Sequence, residues 1–255
     1  MKPFFFTAML LALMTLGGCE DDGGVPGSHL TITFKAVYDG QPLEMYKNYD
    51  YDTYRVFFTR FNTYLSEFYL RKGTELIRIS DNEWVDFTPT GASNLALEVP
   101  VVIENVPEGD YTGIRFGYGV SPDLNAKQPK DFPAGHPLSL ENEYWLGWKS
   151  YIFNKIEGKA DLNNDGTPEG NLVYHCGSDA VYRTGEFALP ITIEPGAKLP
   201  VTFDLKRLFD HAGPAGGWLD LNDPYNQLTS NETTDVVIAT LLMNQIDDAI
   251  TVEQK

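Results

Sequence analysis

Cysteine is almost missing from this chain: among 255 residues there are two, Cys19 and Cys176. Cys19 closes an apolar leader, which leaves Cys176 alone in the remainder, so no intrachain disulfide is expected and stability has to come from a buried core. Basic residues are scarce as well, with 19 Lys and Arg against 36 Asp and Glu and a formal charge of −17. Phosphate contacts need clustered cations, so nucleic acid is excluded as a partner, while cation binding and simple solubility stay open. Catalytic signatures are missing too. There is no G-x-S-x-G, no H-E-x-x-H, no G-x-x-x-x-G-K and no C-x-x-C. Acidic pairs such as Asp220 with Asp223 are expected by chance among so many carboxylates. The protein is therefore expected not to be an enzyme.

What is present begins at the first residue. "MKPFFFTAMLLALMTLGGC" carries one charge at Lys2, an apolar run from Phe4 to Leu16 and small residues before Cys19, the layout of an export signal. The run is short for a permanent membrane span. "LGGC" has the form of a lipobox, so residues 1–18 are expected to be removed and Cys19 to carry the lipid. Residues 19–28, with "EDDGGVPGS", then read as a flexible tether. An outer membrane lipoprotein is expected, held to the membrane by its N-terminal lipid and facing the periplasm or the cell surface.

With 42% hydrophobic and 13% aromatic residues, residues 29–255 can bury one large core. Alternation marks strands at 29–38, 55–73 and 75–80, and again at 95–106, 109–120, 171–177, 186–194 and 198–205, with turn residues between nearly all of them. The expected fold is all-β: a single antiparallel β-sandwich, Greek-key-like. One C-terminal helix is expected within "SNETTDVVIATLLMNQIDDAI", capped by Ser230 or Asn231. In "YWLGWKSYIFNKIEG", residues 144–158, strand parity puts Trp145, Gly147, Lys149 and Tyr151 on one face. Tyr144, Leu146, Trp148, Ser150 and Ile152 fall on the other, which reads as core. A bulge at Gly147 would bring Trp148 beside Trp145. "GYGV" at 117–120 marks a bulge or close packing.

Two sets of residues point to metals. "DLNNDG" sets Asp161, Asn163 and Asp165 at alternate positions before Gly166, the opening of a calcium loop. The pattern then lapses, with Leu172 where a glutamate is expected and Glu169 arriving early, so a hairpin tip capped by its own Asn and Asp side chains is the competing reading. Of the four histidines, His29, His136, His175 and His211, the one in mid-strand is His175. On a strand it faces away from Tyr174 and Cys176, leaving Cys176 as a buried small apolar residue.

The run "RFGYGV…LN…LSLENEYWLGWKSYIFNKIEG…YHCGSD", with "TRFNTYLSEFYL", resembles the MbnP family of exported proteins, also called metallo-mystery pair proteins. The resemblance implies an all-β fold, copper held by histidines, and a tryptophan open to oxidation by a partner di-haem peroxidase. It maps the histidine before Gly177 onto His175 and the first motif tryptophan onto Trp145. Two departures stand out: Ala126 replaces the histidine of the family's "LNH", and Trp148 lies one residue further than in W-x-W. Copper at His175, with His136 replacing the lost histidine and Trp145 and Trp148 forming an aromatic site, is the leading expectation. The alternative is a surface glycan-binding or adhesion lipoprotein on the same scaffold.

Overall fold

The first strand shows why the chain forms layers. In β1 (Ser28–Tyr38) Leu30, Ile32, Phe34 and Ala36 are buried, while Thr31, Thr33 and Lys35 between them are half-buried. A period of two sends one set of side chains to each face, and burying the apolar set calls for a second sheet. The computed structural model that shows this describes residues 27–213, 216–229 and 236–253. The signal, Cys19 and residues 20–26 of the tether lie outside the described residues, as do Ser230 and Asn231.

After β1 come β2 (Gln41–Pro42), β3 (Tyr49–Tyr51), β4 (Tyr54–Lys72), β5 (Glu75–Asp86), β6 (Val99–Val106) and β7 (Gly109–Tyr118). A short helix α1 (Pro122–Asn125) leads to β8 (Tyr144–Trp145), β9 (Ser150–Asp161), β10 (Gly170–Gly177), β11 (Arg183–Ile193) and β12 (Ala197–Asp204). The chain ends through α2 (Leu205–Asp210), α3 (Val237–Asn244) and β13 (Ile250–Val252). The expected helix is thus present as α3, and a short strand follows it.

The smaller sheet runs β13-β12-β1-β2, with β6 also paired to β1; the larger runs β10-β9-β4-β7-β11, with β3 and β5 on β4 and β8 on β9. The all-β antiparallel sandwich is what the alternation implied. One pairing departs from it: β1 and β12 run parallel, from Leu30 opposite Ala197 to Val37 opposite Asp204. Between the sheets lies an aromatic core. Phe61 stacks on Phe87 at 4.7 Å, and Phe203 of the smaller sheet meets them at 5.9 and 5.7 Å. Each such buried ring contributes about 1.5–3 kcal/mol by leaving water.

β4 holds the larger sheet together and also splits it. Along one edge it pairs with β9 as far as Thr63 opposite Asn154, then with β7 from Leu65 opposite Tyr118. At this fork the Gly119 N–H donates to the Tyr64 carbonyl at 2.8 Å. Gly119 has φ +102 and lies against the Phe153 ring, so neither the backbone nor the space admits a side chain.

The segment from α1 to β8 crosses the face of the larger sheet that points away from the smaller one. Tyr64 donates its hydroxyl to the Pro137 carbonyl at 3.0 Å and Tyr151 to that of Leu138 at 2.7 Å. Tyr64, Tyr151 and Trp84 pack edge to face or tilted beneath it. Both faces of β9 are therefore covered, and Tyr151, Ile152 and Phe153 are all buried. This corrects the two-faced reading of residues 144–158. The run is a hairpin: β8 ends at Trp145, residues 146–149 turn, and β9 starts at Ser150. Leu146, assigned to the core by parity, is 78% exposed at the turn.

Candidate functional site

Three separated stretches meet at the fork. Asn125, buried at the end of α1, donates from Nδ2 to Asp179 Oδ1 at 2.8 Å and accepts the Tyr151 N–H at 2.8 Å and the Ser150 hydroxyl at 3.2 Å on Oδ1. Ser150 Oγ in turn accepts the Ser178 N–H at 2.9 Å. An amide is needed here because the group must donate to a carboxylate and accept from the backbone at once. This clamp joins α1, the start of β9 and the residues that follow β10.

The tryptophans sit on that clamp. Across the 146–149 turn the Trp145 and Trp148 rings face each other at 5.7 Å with an interplanar angle of 34°, both half-buried. A turn, and not a bulge, brings them together. Trp148 lies over Gly177: a Cβ there would sit 3.2 Å from the indole and 2.7 Å from the Tyr151 carbonyl oxygen, which accounts for glycine at this position.

On β10, Tyr174 and Cys176 turn inward and His175 outward, as a period of two requires. Burial pushes the Cys176 thiol up to about 12, so it is an inert core residue and no thiolate ligand. His175 Nε2 lies 2.9 Å from Glu157 Oε1, and Glu157 Oε2 lies 3.7 Å from Arg60 Nε. Its backbone N–H donates to Thr229 Oγ1 at 2.9 Å. Burial holds the His175 imidazole below its ordinary range, against the opposing pull of the Glu157 hydrogen bond. Directly across the ladder is Lys155, whose Nζ lies 2.7 Å from Glu143 Oε2. Both side chains are almost fully enclosed, 6% and 4% exposed. The angles of this contact fall outside those of a hydrogen bond, so Glu143 Oε2 has charge compensation without an aligned donor.

His136 sits elsewhere. It caps a 3-10 turn in the crossing segment, accepting the Leu138 N–H on Nδ1 at 3.1 Å with its ring stacked on Phe132 at 4.6 Å. None of these partners belongs to the His175 network. Ala126 follows α1 on the surface and offers no donor atom. Around His175, then, the side chains that could hold a metal are one imidazole and one carboxylate.

Asp161, Asp165 and Glu169 do come together, with oxygens within 4.8 Å of one another, the one such trio of acidic, histidine or cysteine side chains among the described residues. The turn itself already uses those oxygens. Asp161 accepts the Asp165 and Gly166 N–H groups at 3.1 and 2.9 Å, and Asn163 donates to Glu169 at 2.8 Å and to Asp165 at 3.2 Å. Self-capping of a β9–β10 hairpin accounts for the arrangement.

Sequence patterns led to His175, Trp145 and Trp148 and missed Glu157, Lys155 and Glu143. The signal was there in outline, since a lysine inside the apolar run "YIFNKIEG" has to find an anion when both faces are covered.

The family profile for MbnP matches residues 27–230, and the chain belongs to that family. MbnP from Methylosinus trichosporium has a similar structure, with a TM-score of 0.52 and 17% identity over 82% of each chain. At that identity the likeness speaks for the fold. No curated protein matches the chain.

Proposed function

We propose that this MbnP-family protein is an exported, lipid-anchored copper binder that uses His175 as its nitrogen ligand and Glu157 as an oxygen ligand. The observation that supports this is the His175–Glu157 pair, with His175 on the strand that ends two residues later at Gly177 under Trp148. An imidazole with a carboxylate suits Cu(II) better than Cu(I), because the oxygen donor is hard. Bound copper would supply Lewis acidity and one-electron redox chemistry there. Binding requires the neutral imidazole, and burial lowers its pKa, so proton competition begins only below the ordinary histidine value of about 6.5.

Copper titration at pH 7 and 5 tests the reading. The wild type is expected to bind about one ion per chain, more weakly at pH 5. His175→Ala is expected to lose more than about a hundredfold in affinity and Glu157→Gln about ten- to a hundredfold, whereas His136→Ala changes nothing. Unchanged affinity in His175→Ala, or no copper bound by the wild type in either oxidation state, overturns the reading.

The anchor has its own test. Wild-type protein is expected to enter the detergent phase and to take up a fatty-acid analogue, and Cys19→Ala to do neither. Equal labelling of the two removes the lipid from the proposal.

A further inference from the structure

Away from the His175 network a concavity of about 520 Å³ opens between the β1–β2 turn, the stretch around β3 and the start of α2. Its floor is aromatic. The Tyr38 and Tyr49 rings pack at 4.5 Å, tilted by 31°, and the half-buried Trp218 that also lines the concavity rests on Tyr51 at 4.4 Å. Its rim is polar and flexible in valence: Gln41 and Asn48 offer amides, Asp50 and Asp52 offer exposed carboxylates.

The charges of the rim largely cancel. Lys206 Nζ lies 2.9 Å from Asp39 Oδ1, and Lys47 lies 5.5 Å from the centre of the Tyr49 ring and 3.9 Å from Glu44. These pairs are exposed and each contributes little, but they leave both lysines already partnered, so the rim suits a polar neutral ligand better than an anion.

The walls are fixed before any ligand arrives. Tyr38 donates its hydroxyl to the Asp50 carbonyl at 2.7 Å, and the Tyr49 hydroxyl accepts the Glu44 N–H at 2.7 Å. Asp204 accepts the Asp39 and Gly40 N–H groups at 3.0 and 3.1 Å, locking the β1–β2 turn to the start of α2. Three non-glycine residues around the concavity adopt left-handed backbone, Asp39, Tyr46 and Asp52, with φ of 53°, 63° and 50°. For the two aspartates this is ordinary turn geometry. For an aromatic it is an outlier that costs about 1 kcal/mol or more, and it leaves Tyr46 62% exposed, one residue before the lining residue Lys47.

The geometry points to a saccharide site: this cleft binds a neutral glycan segment of about disaccharide size, its apolar ring face on Trp218 and its hydroxyls on Asn48, Gln41, Asp50 and Asp52. The size lies in the usual range for small-ligand pockets. Paired acceptors and donors above an aromatic plane suit hydroxyl groups over C–H faces, and preorganised walls reduce the entropy lost on binding. The site shares no residue with the His175 network, so copper results do not bear on it.

The test is calorimetric titration of detergent-solubilised full-length protein with cellobiose and with maltose, which separate β- from α-linked glucans, followed by Trp emission. Binding of at least one disaccharide is expected, weakened about tenfold by Trp218→Ala and about fivefold by Asn48→Ala. Because Trp218 also packs on Tyr51, the exposed Asn48 is the variant that leaves the fold intact. No heat and no emission change with either sugar up to about 10 mM, a range reaching well past millimolar affinity, overturns the proposal. So does binding that Asn48→Ala and Trp218→Ala leave unchanged, or that Trp145→Ala abolishes instead.

Discussion

Lys155→Met is expected to destabilise the protein by about 3–5 kcal/mol, because it strands the Glu143 carboxylate in a site where neither partner reaches water. Methionine nearly matches the lysine stem in volume, so the loss comes from charge and not from a cavity. Glu143→Leu alone is expected to do comparable harm by stranding the ammonium. The double variant Lys155→Met, Glu143→Leu is expected to recover most of the loss, since two apolar side chains replace a buried pair without leaving a charge behind. Urea unfolding with an unchanged m-value would measure all three. A single-variant loss below about 1 kcal/mol would mean that water reaches the pair.

The other large effect is expected at the clamp. Asn125→Ala removes three hydrogen bonds and leaves the buried Tyr151 N–H without an acceptor, a cost of about 2–4 kcal/mol. Asn125→Asp is expected to fail as well. It keeps the acceptor for Ser150 and Tyr151 but sets a carboxylate against Asp179. Both variants should change the near-ultraviolet circular dichroism of the tryptophans, because the hairpin that pairs Trp145 with Trp148 begins its return at Ser150. A stability loss with an unaltered aromatic spectrum would show that the hairpin holds its shape without the clamp.

Most strands were legible because one face of each is buried and a period of two follows from that. β1, β4, β7, β10 and β12 begin and end within three residues of where alternation placed them. The 144–158 run defied this logic for a physical reason. With the crossing segment on one face and the sandwich on the other, both faces of β9 are covered, and the turn at 146–149 is hidden by having Leu146 and Trp148 in it. β4 conceals more still: its 19 residues read as one strand, and nothing local says that its neighbour changes from β9 to β7 near Tyr64. At the site, His175 was legible from its place in mid-strand, and the two tryptophans from the motif. Glu157 was not, because its approach to His175 is a diagonal across paired strands, which no spacing in the chain encodes.

The parallel pairing of β1 with β12 puts a timing constraint on the molecule. A chain that emerges from its N-terminus offers β1 first, yet the neighbour on one long edge of β1 starts at residue 197 and is itself flanked by residues 250–252. Until nearly the whole chain is out, that edge is bare, and a bare apolar strand invites pairing with another molecule. Closure of the smaller sheet is thus a late event set by the last segment to appear. A chain stopped short of residue 197 keeps the aromatic strands of the larger sheet but lacks the strand that shields β1, and self-association is its expected fate.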